Sequence, residues 1–512
     1  MNPIESTKMN TSSRIYFGLL ILLSLLAAGL FLYVTRNYGV GVSPDSVVFF
    51  SVAEQIQRGE SLTISLFPPF YSAVLALISS VFAMVPLDAA RVFGAIASSL
   101  TVFLSGIIFR RHLSGSIVFN LLAAFTVMIA YALVSIYITA WTEPLFIVLV
   151  LLYMIFMDSY LHSRKKVHLL LSAVSVALAC ITRYAGVAFI FIGLLTVLVA
   201  AKRAAIDKLV DLFLYGLISS IPIAALLLMN YLNTGTFAGA RATSTFSYWD
   251  NFLATVKISL GWFLPQSMRS NWIWIAALLL VVGALVFNYF MQIRKTAKPD
   301  LRWQVPYIIL IVGYILFIVA SSKTSFTGLI DNRYMSVIYI PLLLLVFYYV
   351  YELLAKFGLM LGTRKAGILA CVLIAAWVFY PLKATRTSVS SLMDMGLGYT
   401  NKFWRASETM QYLEQNLASC SVYSNGKDVI QFYTGRTVGY VPYRTSGIAV
   451  VADLAWVKEH WPKESQVCVV WFDQIYWRNY FFPPEDLMKV VNLQDEIKLS
   501  DGTIYIVNKI AQ

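Results

Sequence analysis

Apolar runs recur along this chain from residue 16 to residue 381 and then stop. They lie near 16–34, 68–86, 89–109, 114–134, 143–161, 168–181, 184–201, 209–230, 272–292, 304–321, 335–354 and 365–381. A bilayer offers the backbone no water to bond, so runs of this kind enter it as helices, whose backbone bonds are internal. Charged residues are 13% of the 512 residues, about half the ~25% usual in soluble domains. The mean hydropathy is +0.73. These values exclude a disordered chain, a secreted disulfide scaffold and a single-pass receptor. The expected fold class is a polytopic all-α membrane protein, with a membrane domain over 1–383 and a tail of ordinary composition over 384–512.

The positive charges set the topology. The net charge is +13, and its Lys and Arg gather in short turns: Arg110-Arg111, Arg164-Lys165-Lys166, Lys202-Arg203, Arg294-Lys295 with Lys298 and Arg302, and Arg364-Lys365. No basic module interleaved with aromatics is present, so nucleic acid is not an expected partner. The positive-inside rule places all five clusters in the cytoplasm with the N-terminus. Twelve crossings would split them between the two faces. The run at 68–86 opens with Pro68-Pro69 and holds only about 17 apolar residues, near the lower limit for a span. Read as a helix in the outer interface, it leaves about eleven crossings, every basic cluster inside and the tail outside. The first run follows Lys8 and Arg14, is too long for a signal sequence and reads as a retained anchor. The runs 168–181 and 184–201 form a short out-and-back pair, with Arg183 at the apex facing protein rather than lipid. Long loops (35–88, 231–271, 322–334) then collect on the outer face. No internal repeat of the kind transporters show is visible.

The tail alternates helical and strand-like segments: a helix over 403–417, a strand at Ser421–Ser424, a helix through Asp428–Tyr433, a helix near 452–460, a strand at 467–472 and two final strands joined at Asp501-Gly502. This predicts a small α/β domain with a βαβ-like core. Cys420 and Cys468 each sit at a strand-like run and can pair if those strands are neighbours.

The outer loops hold the chemistry-bearing residues. Asp45, in Ser43-Pro44-Asp45-Ser46, stands at a helix N-terminus, where it is either a cap or a catalytic carboxylate. Glu54 and Arg58 form an i,i+4 pair. Phe49, Ala53, Gly59 and Pro68-Pro69-Phe70-Tyr71 follow, then Ala89-Ala90-Arg91.

This order resembles the GT-C membrane glycosyltransferases, closest to the protein-mannosyltransferase-like branch and related bacterial enzymes. Trp141-Thr142-Glu143-Pro144 is similar to the family's second acidic element, and in the eleven-span topology Glu143 shares a face with Asp45. Thr182-Arg183-Tyr184-Ala185-Gly186 resembles its Arg between two short helices, and Asp331-Asn332-Arg333-Tyr334 its later Arg-Tyr element. The stretch before Glu143 offers Tyr131, Ser135 and Tyr137 where the family often has an Arg. The resemblance implies transfer of a sugar from a polyprenyl-phosphate carrier on the outer leaflet to a glycan, lipid or protein acceptor, and the short loops and plain tail point to a bacterial plasma membrane. It implies Asp45 as base, Glu143 as its partner or as ligand to a divalent cation, and Arg183 and Arg333 as phosphate binders. Tyr71, Arg91, Tyr184, Tyr334 and Asn233 are further substrate-binding candidates.

Each residue also has a structural reading. The two arginines can be interfacial anchors, Glu143 a helix-dipole acid, and Arg91 a partner of Asp88. His112, His162 and His168 fall in cytoplasmic turns, which leaves no outer histidine cluster for zinc. There is no phosphate-binding glycine loop or dinucleotide fingerprint, and no serine nucleophile elbow. The alternative function is a lipid-linked sugar flippase without transferase chemistry, which requires polar residues along a path through the membrane.

Overall fold

In the computed structural model the described residues are 11–61, 67–113, 117–239, 244–265, 303–325, 328–361, 363–444 and 453–510, without the side chains of 354–371 and 374–376. Fifteen helices precede the tail among them: α1 (Thr11–Val34), α2 (Pro44–Gln57), α3 (Phe70–Phe82), α4 (Pro86–His112), α5 (Ile117–Met128), α6 (Tyr131–Tyr137), α7 (Glu143–Ser163), α8 (Lys166–Thr182), α9 (Val187–Ala200), α10 (Ala205–Thr234), α11 (Tyr248–Gly261), α12 (Gln304–Ser325), α13 (Asn332–Met335), α14 (Tyr339–Leu361) and α15 (Thr363–Met395). Six described helical stretches are long and apolar enough to cross a bilayer, or seven if the pair α5 and α6, bent by 46°, is one span. The run at 272–292 and the basic cluster at 294–302 lie outside the described residues.

Length separates spanning from non-spanning helices. α3 has 13 residues, about 20 Å at ~1.5 Å per residue, well short of a ~30 Å hydrocarbon core. α8 has 17 residues and α9 has 14, about 25 Å and 21 Å. The chain turns between them at Arg183 and a 3-10 turn, Tyr184–Gly186. The boundary expected at residue 383 falls inside α15, which runs on to Met395 and carries the chain into the tail.

The helices gather their basic residues at one end. Arg111, at the end of α4, donates to the Ile155 carbonyl (3.1 Å) and to Asp158 (3.2 Å) near the end of α7. Arg203 reaches the Arg164 carbonyl and pairs with Asp211 at 3.4 Å. His112 stacks on Trp303 and bonds Tyr307 at 2.9 Å. Asp158 and Glu143 are 15 residues apart on α7, about 22 Å along the axis, so the start of α7 belongs to the opposite end. α1 packs on α4 through small residues: a Cβ at Gly106 would meet Leu20 at 2.3 Å, and one at Gly94 would meet Phe31 at 2.4 Å. Such close approach is how helices associate where lipid is as apolar as the side chains.

The tail contains α16 (Glu408–Asn416), β1 (Val422–Ser424), α17 (Lys427–Thr434), β2 (Gly439–Tyr440), α18 (Leu454–His460), β3 (Gln466–Phe472), β4 (Val491–Leu499) and β5 (Gly502–Lys509). The sheet order is β2-β1-β3-β5-β4. β1 is parallel to β2 and β3, with α17 as the β1–β2 crossover, and β4–β5 is an antiparallel hairpin. The expected βαβ unit and final hairpin are both present. β1 and β3 are neighbours, and Cys420 and Cys468 form a disulfide.

Candidate active site

Three short segments meet at the end opposite the basic clusters. Gly41 pairs with Thr139 and Val42 with Gly398, each as a parallel bridge. Gly41 N donates to the Ile138 carbonyl (2.8 Å), Ala140 N to the Gly41 carbonyl (2.9 Å) and Tyr399 N to the Val42 carbonyl (2.7 Å). Backbone bonds thus set the loop before α2, the loop before α7 and the start of the tail side by side. The loops then lead directly into Asp45 and Glu143. Trp141 Nε1 donates to Ser43 Oγ at 2.8 Å and locks the two loops together.

Ser43, not Asp45, caps α2. Its hydroxyl accepts from Ser46 N while Ser46 Oγ accepts from Ser43 N, a reciprocal capping box, and Pro44 begins the helix. Asp45 is therefore free of the cap and points elsewhere: its Oδ2 accepts from Arg333 Nη1 at 2.6 Å. Arg333 Nε bonds Glu143 Oε1, and Arg183 Nη1 bonds the same oxygen. Arg183 Nη1 also donates to Thr142 Oγ1 at 2.8 Å. Two carboxylates and two guanidinium groups from four separate parts of the sequence thus form one charge-balanced chain.

Burial gives the two acids different roles. The side chain of Glu143 is 1% exposed and that of Asp45 is 29% exposed. Glu143 bonds both arginines inside the protein, and Asp45 is the more exposed of the two carboxylates. Arg333 Nη2 and the Nε and Nη2 of Arg183 have no hydrogen-bond partner among the described residues. Those N–H groups suit the oxygens of a phosphate. Neither arginine is a snorkelling anchor, since each is held within protein by a carboxylate.

The support around the arginines includes residues that sequence reasoning missed. The Arg333 guanidinium lies 4.3 Å from the centre of the Trp141 ring, a cation–π contact. Asn332 donates to the Ala132 carbonyl (2.9 Å) and to Ser135 Oγ (3.2 Å), and accepts from Trp262 Nε1 (2.8 Å). Asp331 caps α13 through the backbone N–H groups of Arg333 and Tyr334. Its carboxyl is raised by burial, partly offset by those two bonds. Trp141 and Asn332 lie inside the two motifs singled out above; their position next to Glu143 and Arg333 was the available signal.

The weaker candidates separate. Tyr334 lies under Arg183, 5.6 Å from ring centre to guanidinium carbon. Tyr184 accepts a bond from Asn230 at 3.0 Å. Tyr71 is fully buried, edge-on to Phe49 and Phe93, and packs α2 against α3 and α4. Arg91 reaches α1, bonding Thr35 Oγ1 (3.1 Å) and the Leu32 carbonyl (3.2 Å), in place of the expected pair with Asp88. Asn233 sits inside α10, not in a loop, and is exposed; Asn230, one turn earlier, is the inward residue. Glu54 and Arg58 pair at 3.9 Å as expected.

An apolar cavity of about 590 Å³ lies among the later helices, and none of the four cluster residues lines it. Phe252 and Leu260 of α11, Ile311 of α12, Leu342 of α14 and Trp377 of α15 line it, with Ile338, five residues beyond Arg333. Among the described residues no group of three or more His, Cys, Asp or Glu converges on a metal-sized site. A divalent ion between Asp45 and Glu143 would have to displace Arg333 from both, so the residues present do not form a ready cation site.

No protein-family model matches the sequence, and no curated protein matches it. Solved structures do. ArnT from Cupriavidus metallidurans bound to undecaprenyl phosphate aligns with a TM-score of 0.59 at 13% identity, covering 96% of this chain and 98% of that one. Its apo state aligns at 0.58 and 11% identity, with the same coverage. The Archaeoglobus fulgidus oligosaccharyltransferase in complex with Zn and sulfate aligns at 0.58 and 10% identity, covering 94% of this chain and 72% of that one. The chain shares its fold with these ArnT and oligosaccharyltransferase structures.

Proposed function

We propose that this protein is a glycosyltransferase that moves a sugar from a polyprenyl-phosphate carrier to a glycan, lipid or protein acceptor at the outer membrane face. The observation that carries this reading is the meeting of Asp45, Glu143, Arg183 and Arg333 at one end of the helices. The donor has an anionic head and a long apolar tail. The free N–H groups of the arginines suit the head, and the apolar cavity suits part of the tail.

In this mechanism the acceptor hydroxyl attacks the anomeric carbon and Asp45 takes its proton. The new acceptor O–C bond forms as the bond from the anomeric carbon to phosphate oxygen breaks, and its electron pair leaves with the lipid phosphate. A single displacement inverts the anomeric centre. Arg183 and Arg333 stabilise the charge growing on phosphate. Glu143 touches no substrate in this scheme; it holds the arginines in place. ArnT was crystallised with undecaprenyl phosphate, which supports a donor of that class. The Cys420–Cys468 disulfide supports a tail, and hence a site, in an oxidising compartment outside the plasma membrane.

The test is consumption of radiolabelled polyprenyl-phosphate sugars in membranes. Asp45→Asn keeps the side-chain size and removes the base. Transfer should fall by about 10²–10⁴-fold at equal expression. Equal turnover by both proteins would refute the assignment of Asp45.

A further inference from the structure

The tail has a second concave site. A pocket of about 310 Å³ opens beyond β3, lined by Arg444, Trp471, Asp473, Tyr476, Arg478 and Asn479 among others. We propose that it binds a saccharide unit of the acceptor, so that the tail selects the acceptor while the helical domain performs transfer. The inference rests on the transferase reading and deepens it.

Three features point to a sugar. The volume is at the lower end for small-molecule pockets, which run ~300–1,000 Å³, and suits one or two pyranose rings. The polar lining is available: the side chains of Arg444, Asp473 and Asn479 make no hydrogen bond or ion pair among the described residues. Together they offer donors and an acceptor for ring hydroxyls. The third feature is aromatic. Tyr476 is 83% exposed and Trp477 beside it is 50% exposed, their ring centres 5.8 Å apart. Single exposed apolar residues are ordinary, but Tyr476 lines the pocket, where its ring can stack on the C–H side of a pyranose, with Trp477 next to it just outside the lining.

The pocket is rigidly mounted. Arg478 is buried, donating to the Asn425 carbonyl (2.6 Å) and to Asp428 (2.8 Å). Asn425 clasps the Phe472 backbone with two 2.9 Å bonds. A Cβ on Gly426 would meet Phe472 and Ile475 at 2.7 Å, so the pocket floor rests directly on the turn that opens α17. α17 in turn packs on α2, which carries Asp45. A saccharide held here is coupled to the proposed base through two packed helices.

The experiment is saturation-transfer NMR on the full chain in nanodiscs, without donor, using maltose, chitobiose and digalacturonate at about 10 mM. At least one should bind. Tyr476→Ala and Asn479→Ala should each weaken binding by about tenfold, whereas Trp456→Ala, an exposed aromatic of the tail outside the pocket, should not. No binding to wild type, or equal loss in all three variants, overturns the proposal. The emission of Trp477, isolated as the difference from Trp477→Phe, should also be insensitive to brominated lipids. Quenching would assign the aromatic pair to the membrane surface and overturn it equally. Because donor is absent, failure here leaves Asp45-dependent transfer standing, and a failed transfer assay leaves the binding result intact.

Discussion

Arg333 is the residue on which the proposed site turns, because it bonds both acids at once. A lysine has one ammonium on a flexible stem and cannot span Asp45 and Glu143 while keeping an N–H for phosphate. Arg333→Lys should therefore lower kcat/KM by about 10–10²-fold, the loss of one charge-assisted bond of ~1.5–3 kcal/mol. Steady-state kinetics over donor concentration checks this; an unchanged constant would remove Arg333 from donor binding. Asp428 makes a separate prediction in the tail. It is buried with Tyr399, Tyr440 and Arg478 as partners. Burial alone would raise its carboxyl, but the Arg478 bond and the two hydroxyls outweigh that and hold it below the ordinary value. A lowered native pKa means that the unfolded chain binds the extra proton. The contribution is full above the unfolded value of about 3.9 and is lost as pH falls below it. Hydrogen exchange of segment 421–434 in the full chain should accelerate below about pH 4, and Arg478→Met should remove that dependence along with part of the tail's stability.

At the scale of elements, the three-segment bridge decides whether Asp45 and Glu143 meet. Gly398 has φ +60, and a Cβ there would lie 2.0 Å from the Val42 carbonyl oxygen, a backbone atom that cannot move aside without breaking the bridge. Gly39 has φ +76 but open space around it. Both alanine variants meet the left-handed penalty of ~1–2 kcal/mol, but only Gly398→Ala should also displace the loop. Thermal unfolding in detergent should show a small loss for Gly39→Ala. Gly398→Ala should show a larger loss together with a collapse of transfer. Equal effects would mean that the bridge does not position the acids.

For the whole molecule, contacts put Arg111, Arg164 and Arg203 at one end and the candidate site with the tail at the other. If the basic end is cytoplasmic, a cysteine at exposed Lys402 should react with an impermeant maleimide in intact cells. One at exposed Ser163 should react only after permeabilisation, both in a background carrying Cys371→Ser in the last apolar run; Cys180 is buried and Cys420 and Cys468 are paired. The reverse pattern would invert the topology and place the donor on the inner leaflet.

The sequence by itself determined the elements and their order, since both depend on local physics. The apolar runs among the described residues became helices because backbone groups in lipid must bond internally. Strand-like segments flanking an amphipathic helix became the tail's βαβ unit. The basic clusters told which ends belong together. Asp45, Glu143, Arg183 and Arg333 were legible through the order of motifs that resembles the GT-C enzymes. Only the tertiary structure decided what holds them. Asp45 and Arg333 are 288 residues apart, and nothing in residue spacing encodes that one guanidinium bridges both acids. Nor does spacing show that Ser43 takes the cap that Asp45 could have made, that Arg91 turns to α1, or that Tyr71 belongs to the core. Those outcomes depend on which faces of distant helices pack together, and packing is settled by the whole chain at once.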